Sequence, residues 1–271
     1  MKQNELSTLG KKAVCSVITK NYIEYLKVFT YSLVKHNPSF CRDYIVFHEP
    51  GALSEIDKSS IKKIYKNFIF KEVPMQNYEH LDEHNFQGTN YSKKIRRFAY
   101  YRLEMFNLKQ YDQVIYFDVD MVVLRNLDIL FKKDYPSGIL ACEDLLIKKG
   151  GNKSKEFYEK HHKVQGGTIV VGKSLLNDST YDDLISMLSN TERFLLADQS
   201  MFIEYFGNKN KIQELEIEFN CSRKLVARDW VKVPAIIHYP GSGKPTSSSR
   251  TCKTFKYWLK ERDEIRSKKL T

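Results

Sequence analysis

The stretch AVCSVITKNYIEYLKVFTYSLVKHNPSFCRDYIVFH, residues 13–48, decides the fold class. Ala13 to Ile18 is a short apolar run with β-branched residues, which reads as a buried first strand. After the polar Thr19-Lys20-Asn21, the segment Tyr22 to His36 places Leu26, Phe29 and Leu33 at helical spacing and stops before Asn37-Pro38. Tyr44 to His48 reads as a second strand. Working outward, a Lys-rich amphipathic helix is expected from about Ser54 to Tyr65, and a strand from Asn67 to Val73. This β-α-β-α-β order predicts an α/β fold with a parallel sheet and crossover helices. Pro74 to Tyr91 shows no period and reads as a long loop, of a length more often functional than idle.

At roughly 150 residues per domain, 271 residues allow one large α/β domain or two small ones. A hydrophobic content of 42%, with 17 Tyr and 16 Phe, excludes a disordered chain. No stretch approaches the ~20 apolar residues of a membrane span. Met1 to Lys12 is polar, so a secretory leader is not expected. The 5 Cys are scattered with no CxxC pair, which excludes a disulfide framework and suits a reducing cytoplasm. The Asn-x-Ser/Thr triplets at Asn90, Asn152, Asn177 and Asn220 then read as chance matches. The net charge of +11 lies almost wholly in two places, His84 to Leu103 and Arg250 to Thr271. A uniformly basic surface is therefore excluded, and two local features need an explanation.

The first is a helix expected from Ser92, as N-cap, to Leu108, with an apolar stripe through Ile95, Ala99, Arg102 and Phe106. A charge on an inward face needs an anion, so Arg102 should meet one; a core carboxylate or a snorkelling stem are the plainer readings. The next segment, QVIYFDVDMVVLR (113–125), is an apolar strand running into Asp118-Val119-Asp120 and a second apolar run. Ligand sites of open α/β sheets lie at strand C-termini, and alternation puts both carboxylates on one side. Two like charges so placed ask for a cation between them; a solvated turn is the alternative. Downstream, Gln165-Gly166-Gly167 precedes a strand, where the glycines admit a close ligand or form a bulge. Asp198-Gln199 opens an apolar helical segment, with Asp198 equally readable as an N-cap. The strand Pro234 to Tyr239 ends in His238 and leads into Pro240-Gly241-Ser242-Gly243-Lys244-Pro245, a loop suited to phosphate. It is not a Walker loop.

In this order the motifs resemble glycosyltransferase family 8, the retaining glycogenin-like and bacterial lipopolysaccharide hexosyltransferases. Tyr111 to Phe131 is similar to that family's DxD region and His238 to Pro245 to its HxxGxxKPW motif. The resemblance implies a GT-A fold: a single Rossmann-like domain over residues 1–249, with a central mostly parallel sheet flanked by helices. It implies a divalent metal, Mn²⁺ or Mg²⁺, on Asp118, Asp120 and His238. It places Lys244 and the backbone near Gly241 on the diphosphate of a UDP-sugar, and Arg102 on the donor. Val17, Ile18, Thr19 and Tyr22 would line the uridine pocket, Val119 lies within the DxD, and Gln165, Gly166, Gly167, Asp198 and Gln199 would hold the sugar. Asp198 and Gln199 are the candidate catalytic residues. Retention through a covalent intermediate and through same-face attack both stay open. Three departures stand out: Gln165-Gly166-Gly167 for Asn-Ser/Ala-Gly, Leu195 for an acid, and Thr246 for the Trp after Lys-Pro.

The expected activity is transfer of glucose or galactose from a UDP-hexose to a hydroxyl of a glycan, glycolipid or glycoprotein. A sugar-nucleotide hydrolase or nucleotidyltransferase is the alternative. Nucleic acid is the other partner that the charge suggests, but the chain lacks RNP, zinc-finger and helix-turn-helix signatures. The basic tail, residues 250–271, carries Phe255, Trp258, Leu259 and Ile265 at near-helical spacing. It reads either as a final helix with a solvated basic face or as a peripheral contact with anionic lipid. A cytoplasmic location is expected, and a homodimer stays open.

Overall fold

Strand β1 (Lys12–Val17) sits between β2 (Asp43–His48) and β4 (Gln113–Phe117), parallel to both. Its alternating side chains feed two cores. Val14 packs in a cluster with Leu26, Phe29 and Leu33, and Ala13 and Cys15 in another with Tyr100, Leu103 and Phe106. Burial on both faces is why this segment reads as a continuous apolar run. In this computed structural model the described residues are 10–82, 96–132, 137–150, 159, 163–241, 243–246 and 252–270.

The main sheet has the order β3-β2-β1-β4-β7-β6-β8, with β3 at Phe68–Glu72, β6 at Ile139–Cys142, β7 at Gln165–Gly172 and β8 at Ile212–Glu214. Within it, β7 alone runs antiparallel to its neighbours β4 and β6. A small second sheet, β5-β10-β9, joins Met121–Val123, Ile236–His238 and Cys221–Ser222. The chain winds outward from β1 to β3 and returns on the other side of β1 as β4. The C-terminal ends of β1 and β4 therefore meet at a switch point, the usual place for a ligand.

Helix α1 (Ile23–His36) and helix α2 (Glu55–Lys62) fall where the periodicity puts them. Ser54 and Asp57 close a reciprocal capping box at the start of α2. The helix expected over 92–108 differs. Ser92 and Ile95 lie outside the described residues, and Arg96–Asn107 is wound as 3₁₀. A period of three aligns Tyr100, Leu103 and Phe106, all fully buried, and separately Ala99, Arg102 and Met105. The segment is buried nearly all round, so tertiary packing, not one apolar stripe, sets its winding. Arg102 still points inward.

The basic tail forms helix α5 (Phe255–Ser267), which packs on α1. Phe255, Trp258 and Ile265 are buried, and the Trp258 ring lies 5.2 Å from that of Tyr25. Lys35 of α1 bonds Glu261 at 3.0 Å and Glu264 at 2.8 Å, and Arg266 reaches Glu24 at 2.7 Å. Glu261 and Glu264 thus face α1, while Asp263, Lys253, Lys256 and Lys260 face solvent. The boundary expected at 249/250 falls outside the described residues. No helix among the described residues is long and apolar enough to cross a membrane. Trp258→Ala should destabilise the whole domain by about 3–5 kcal/mol, measured by urea unfolding; a change under ~1 kcal/mol would mean that α5 is a detachable appendage.

Candidate active site

Asp118 and Asp120 follow directly on β4, and His238 ends β10. The N–H of Asp118 donates to Gly167 O at 2.8 Å, and Asp120 O accepts from Tyr239 N–H at 2.9 Å, so the acidic turn is fastened to both sheets. Both carboxylates face His238: Nε2 lies 3.6 Å from Asp118 Oδ2 and 3.3 Å from Asp120 Oδ1. One ligand atom from each of the three lies within 4.8 Å of the others, a set that could hold a metal ion. His238 Nδ1 is 2.9 Å from Asn220 Oδ1, an oxygen that can only accept. That acceptor calls for a proton on Nδ1 and turns Nε2 toward the carboxylates, where it would ligate a metal. The donor set fits a divalent cation.

Lys244 closes the other side, ion-paired with Asp120, and its Nζ is 5.5 Å from the Tyr22 ring centroid. Burial pushes the Asp120 carboxyl up, but the charges of His238 and Lys244 outweigh it and hold the group well below the usual range. Burial alone would lower the Lys244 pKa; Asp120 more than reverses that. Gly241 has φ 74°, a conformation that favours glycine, and a Cβ there would meet nothing within 4 Å. Its requirement is conformational. Thr246, at the position without the expected Trp, is exposed and hydrogen-bonded to Tyr25 Oη.

Arg102 meets its anions in two carboxylates. Nη2 is 3.3 Å from Asp118 Oδ1, Nε is 3.1 Å from Asp198 Oδ2, and Nη1 donates to Gly166 O at 2.6 Å. Its guanidinium lies 4.6 Å from the Tyr116 ring centroid, while Tyr116 Oη donates to Asp118 at 2.8 Å. The carboxylate pairing is thus the contact that Arg102 makes, beside the donor contact implied by the resemblance. Asp198 is the first residue of a short helix, α4 (Asp198–Phe202), after helix α3 (Asp178–Ser186). Ala197, not Asp198, is the cap residue, with φ 50° and ψ −128°. That conformation costs an L-residue about 1–3 kcal/mol, and it turns Asp198 inward to Arg102. Burial pushes the Asp198 carboxyl up to about 6 against the opposing pull of Arg102. Gln199 is half-buried, and its Oε1 accepts from Gly166 N–H at 3.3 Å. Gln165 Oε1 is buried with no hydrogen-bond partner among the described residues, an acceptor suited to a hydroxyl.

The two glycines admit the site's own side chains. A Cβ at Gly166 would overlap the Arg102 guanidinium, and one at Gly167 would stand 2.6 Å from both Asn220 Oδ1 and His238 Nδ1. The uridine-pocket candidates lie where β1 ends. Val17, Thr19 and Tyr22 are half-buried there, and Ile18 is a core residue whose N–H donates to Phe47 O at 3.0 Å. Val119 is also a core side chain, so only its backbone is available to a ligand.

Asn220 and Tyr116 escaped the sequence reading. Asn220 was visible only as an Asn-x-Ser triplet, and its 0% exposure excludes glycosylation in the folded chain. Asn177 caps α3 through its side chain, and Asn90 and Asn152 lie outside the described residues.

Among solved structures, the galactosyltransferase LgtC, in complex with donor and acceptor sugar analogs, superposes with a TM-score of 0.72 at 18% identity, covering 94% of this chain and 99% of that one. The glycosyltransferase GlyE of Streptococcus pneumoniae TIGR4 gives 0.66 at 18% identity, covering 96% of this chain and 65% of that one. These likenesses show the fold, the GT-A arrangement of a mostly parallel sheet flanked by helices. Glycosyltransferase GlyA of Streptococcus pneumoniae serotype 4 (strain ATCC BAA-334 / TIGR4) is 24% identical over 261 residues, 90% of this chain. The chain spans 34% of the length of that relative. The profile of glycosyl transferase family 8 matches residues 13–248, and the chain belongs to that family.

Proposed function

We propose that the chain transfers glucose or galactose from a UDP-hexose, with retention, to a hydroxyl of a glycan, glycolipid or glycoprotein. The observation that carries the reading is the Asp118, Asp120 and His238 cluster beside Lys244 at the sheet switch point. Asp118 and Asp120 lie close together beside His238, a set of carboxylate and imidazole ligands that suits a cation. A divalent ion held by Asp118, Asp120 and His238, Mn²⁺ or Mg²⁺, would neutralise charge on the diphosphate leaving group. Lys244 exchanges its bond to Asp120 for the diphosphate and stabilises the charge that develops as the C1–O bond breaks.

Asp198 is buried and bound to Arg102, which suits an orienting group better than a nucleophile. The half-buried Gln199 amide and the orphan Gln165 oxygen would hold sugar hydroxyls. A neutral amide at the reacting face favours same-face attack, with the leaving phosphate accepting the acceptor's proton. Thermal shift with UDP-glucose and UDP-galactose, with and without Mn²⁺, tests the donor, and donor turnover with and without glycan acceptors tests the reaction. Metal-dependent stabilisation by a UDP-hexose is expected. No shift with any UDP-sugar would sink the reading, and turnover without transfer would favour the hydrolase.

A further inference from the structure

We propose that Arg223 is a second cation for the donor diphosphate, set against the loop backbone at Gly243. The inference rests on the UDP-hexose reading and adds a residue that no motif contains. In the small sheet Ser222 of β9 pairs in parallel with His238 of β10. The next residue, Arg223, therefore leaves the sheet at the same end as the loop running from His238 to Lys244. Its guanidinium lies against that loop so closely that a Cβ on Gly243 would overlap Cζ and Nη2. Glycine at 243 thus makes room for a charge one residue from Lys244.

Among the described residues no carboxylate pairs with that charge. Nε is buried with no hydrogen-bond partner among the described residues, and Nη1 makes a long 4.0 Å contact to Cys252 Sγ. Arg97 pairs with Glu49, Arg102 with Asp118 and Asp198, Arg125 with Glu218 and Arg266 with Glu24, while Arg42 and Arg228 lie over the Phe131 and Trp230 rings. Buried donors are normally satisfied, and a charge taken from water costs more than a neutral one. A guanidinium held against a phosphate-type loop is matched by phosphate oxygens, which its planar fork can take two at a time. Lys244 supplies a point charge to one oxygen, and Arg223 would supply a directional pair. The same chemistry would also suit a phosphate or carboxylate on the acceptor, but contact with the loop that carries Lys244 favours the donor.

Calorimetric titration of wild type, Arg223→Gln and Arg223→Lys with UDP and with uridine, each in Mn²⁺, separates these sources. Loss of charge-assisted bonds should weaken UDP by about 10- to 100-fold in Arg223→Gln. Uridine affinity should stay unchanged, and Arg223→Lys should recover part of the loss. Equal UDP affinity in wild type and Arg223→Gln would overturn the proposal. So would an equal loss for UDP and uridine, which marks a packing role, or a defect confined to transfer onto acceptors that carry an anion. If wild type itself binds no UDP, the UDP-hexose reading has failed, and this proposal falls with it.

Discussion

Asp120→Asn should lower metal-dependent transfer on the order of 10³-fold, more than any other single change that keeps the shape of the site. The carboxylate is 6% exposed and touches both His238 and Lys244. An amide of the same size offers the metal no charge and leaves Lys244 without its counterion. Breaking a buried pair costs about 3–5 kcal/mol, so lost activity could come from lost structure. Mn²⁺ binding, read from the electron paramagnetic resonance of free ion, and a thermal melt must be measured together. The expected result is a folded protein with greatly weakened Mn²⁺ affinity. Lys244→Met provides the opposite signature: Mn²⁺ binding is retained, and UDP binding is weakened. Metal-dependent transfer that survives Asp120→Asn would remove the metal assignment.

The parts legible in the sequence share one physical property: their signal is local. Residues 13–48 announce two buried strands and a helix because each segment is long and its burial pattern repeats within it. Asp118 and Asp120 were legible because a strand's alternation and its C-terminal end are both visible in thirteen residues. What stayed hidden depends on pairing between distant segments. Strands β5 and β8 have three residues each and β9 has two, too few for a period, whereas β10 lies within the strand expected over Pro234 to Tyr239. The two glycines read as a ligand's close approach or as a bulge; the groups that crowd them, Arg102 and His238, come from 64 residues before Gly166 and from a strand of the second sheet, and β6 shifts register opposite this segment. The 3₁₀ winding of Arg96–Asn107 was hidden for the same reason, since it answers to packing on every side.

Asn220 shows what such a hidden contact does, and replacing it by alanine should weaken Mn²⁺ binding about 10- to 100-fold. Its Oδ1 holds His238 Nδ1–H at 2.9 Å, and its Nδ2 donates to Gln165 O at 3.4 Å, so it spans the metal cluster and the sugar-side loop. Alanine leaves the imidazole N–H buried without an acceptor and frees the ring to rotate or change tautomer. Gly167→Ala should reach the same end from the other side, because the new methyl would stand 2.6 Å from both Asn220 Oδ1 and the His238 ring. If both act by misplacing one imidazole, the double variant should bind Mn²⁺ about as weakly as the poorer single variant. Effects on independent groups would instead add in free energy and multiply in affinity. A product of the two losses would show that Gly167 and Asn220 act on different groups, and would end the account in which the orientation of His238 joins the two sheets into one site.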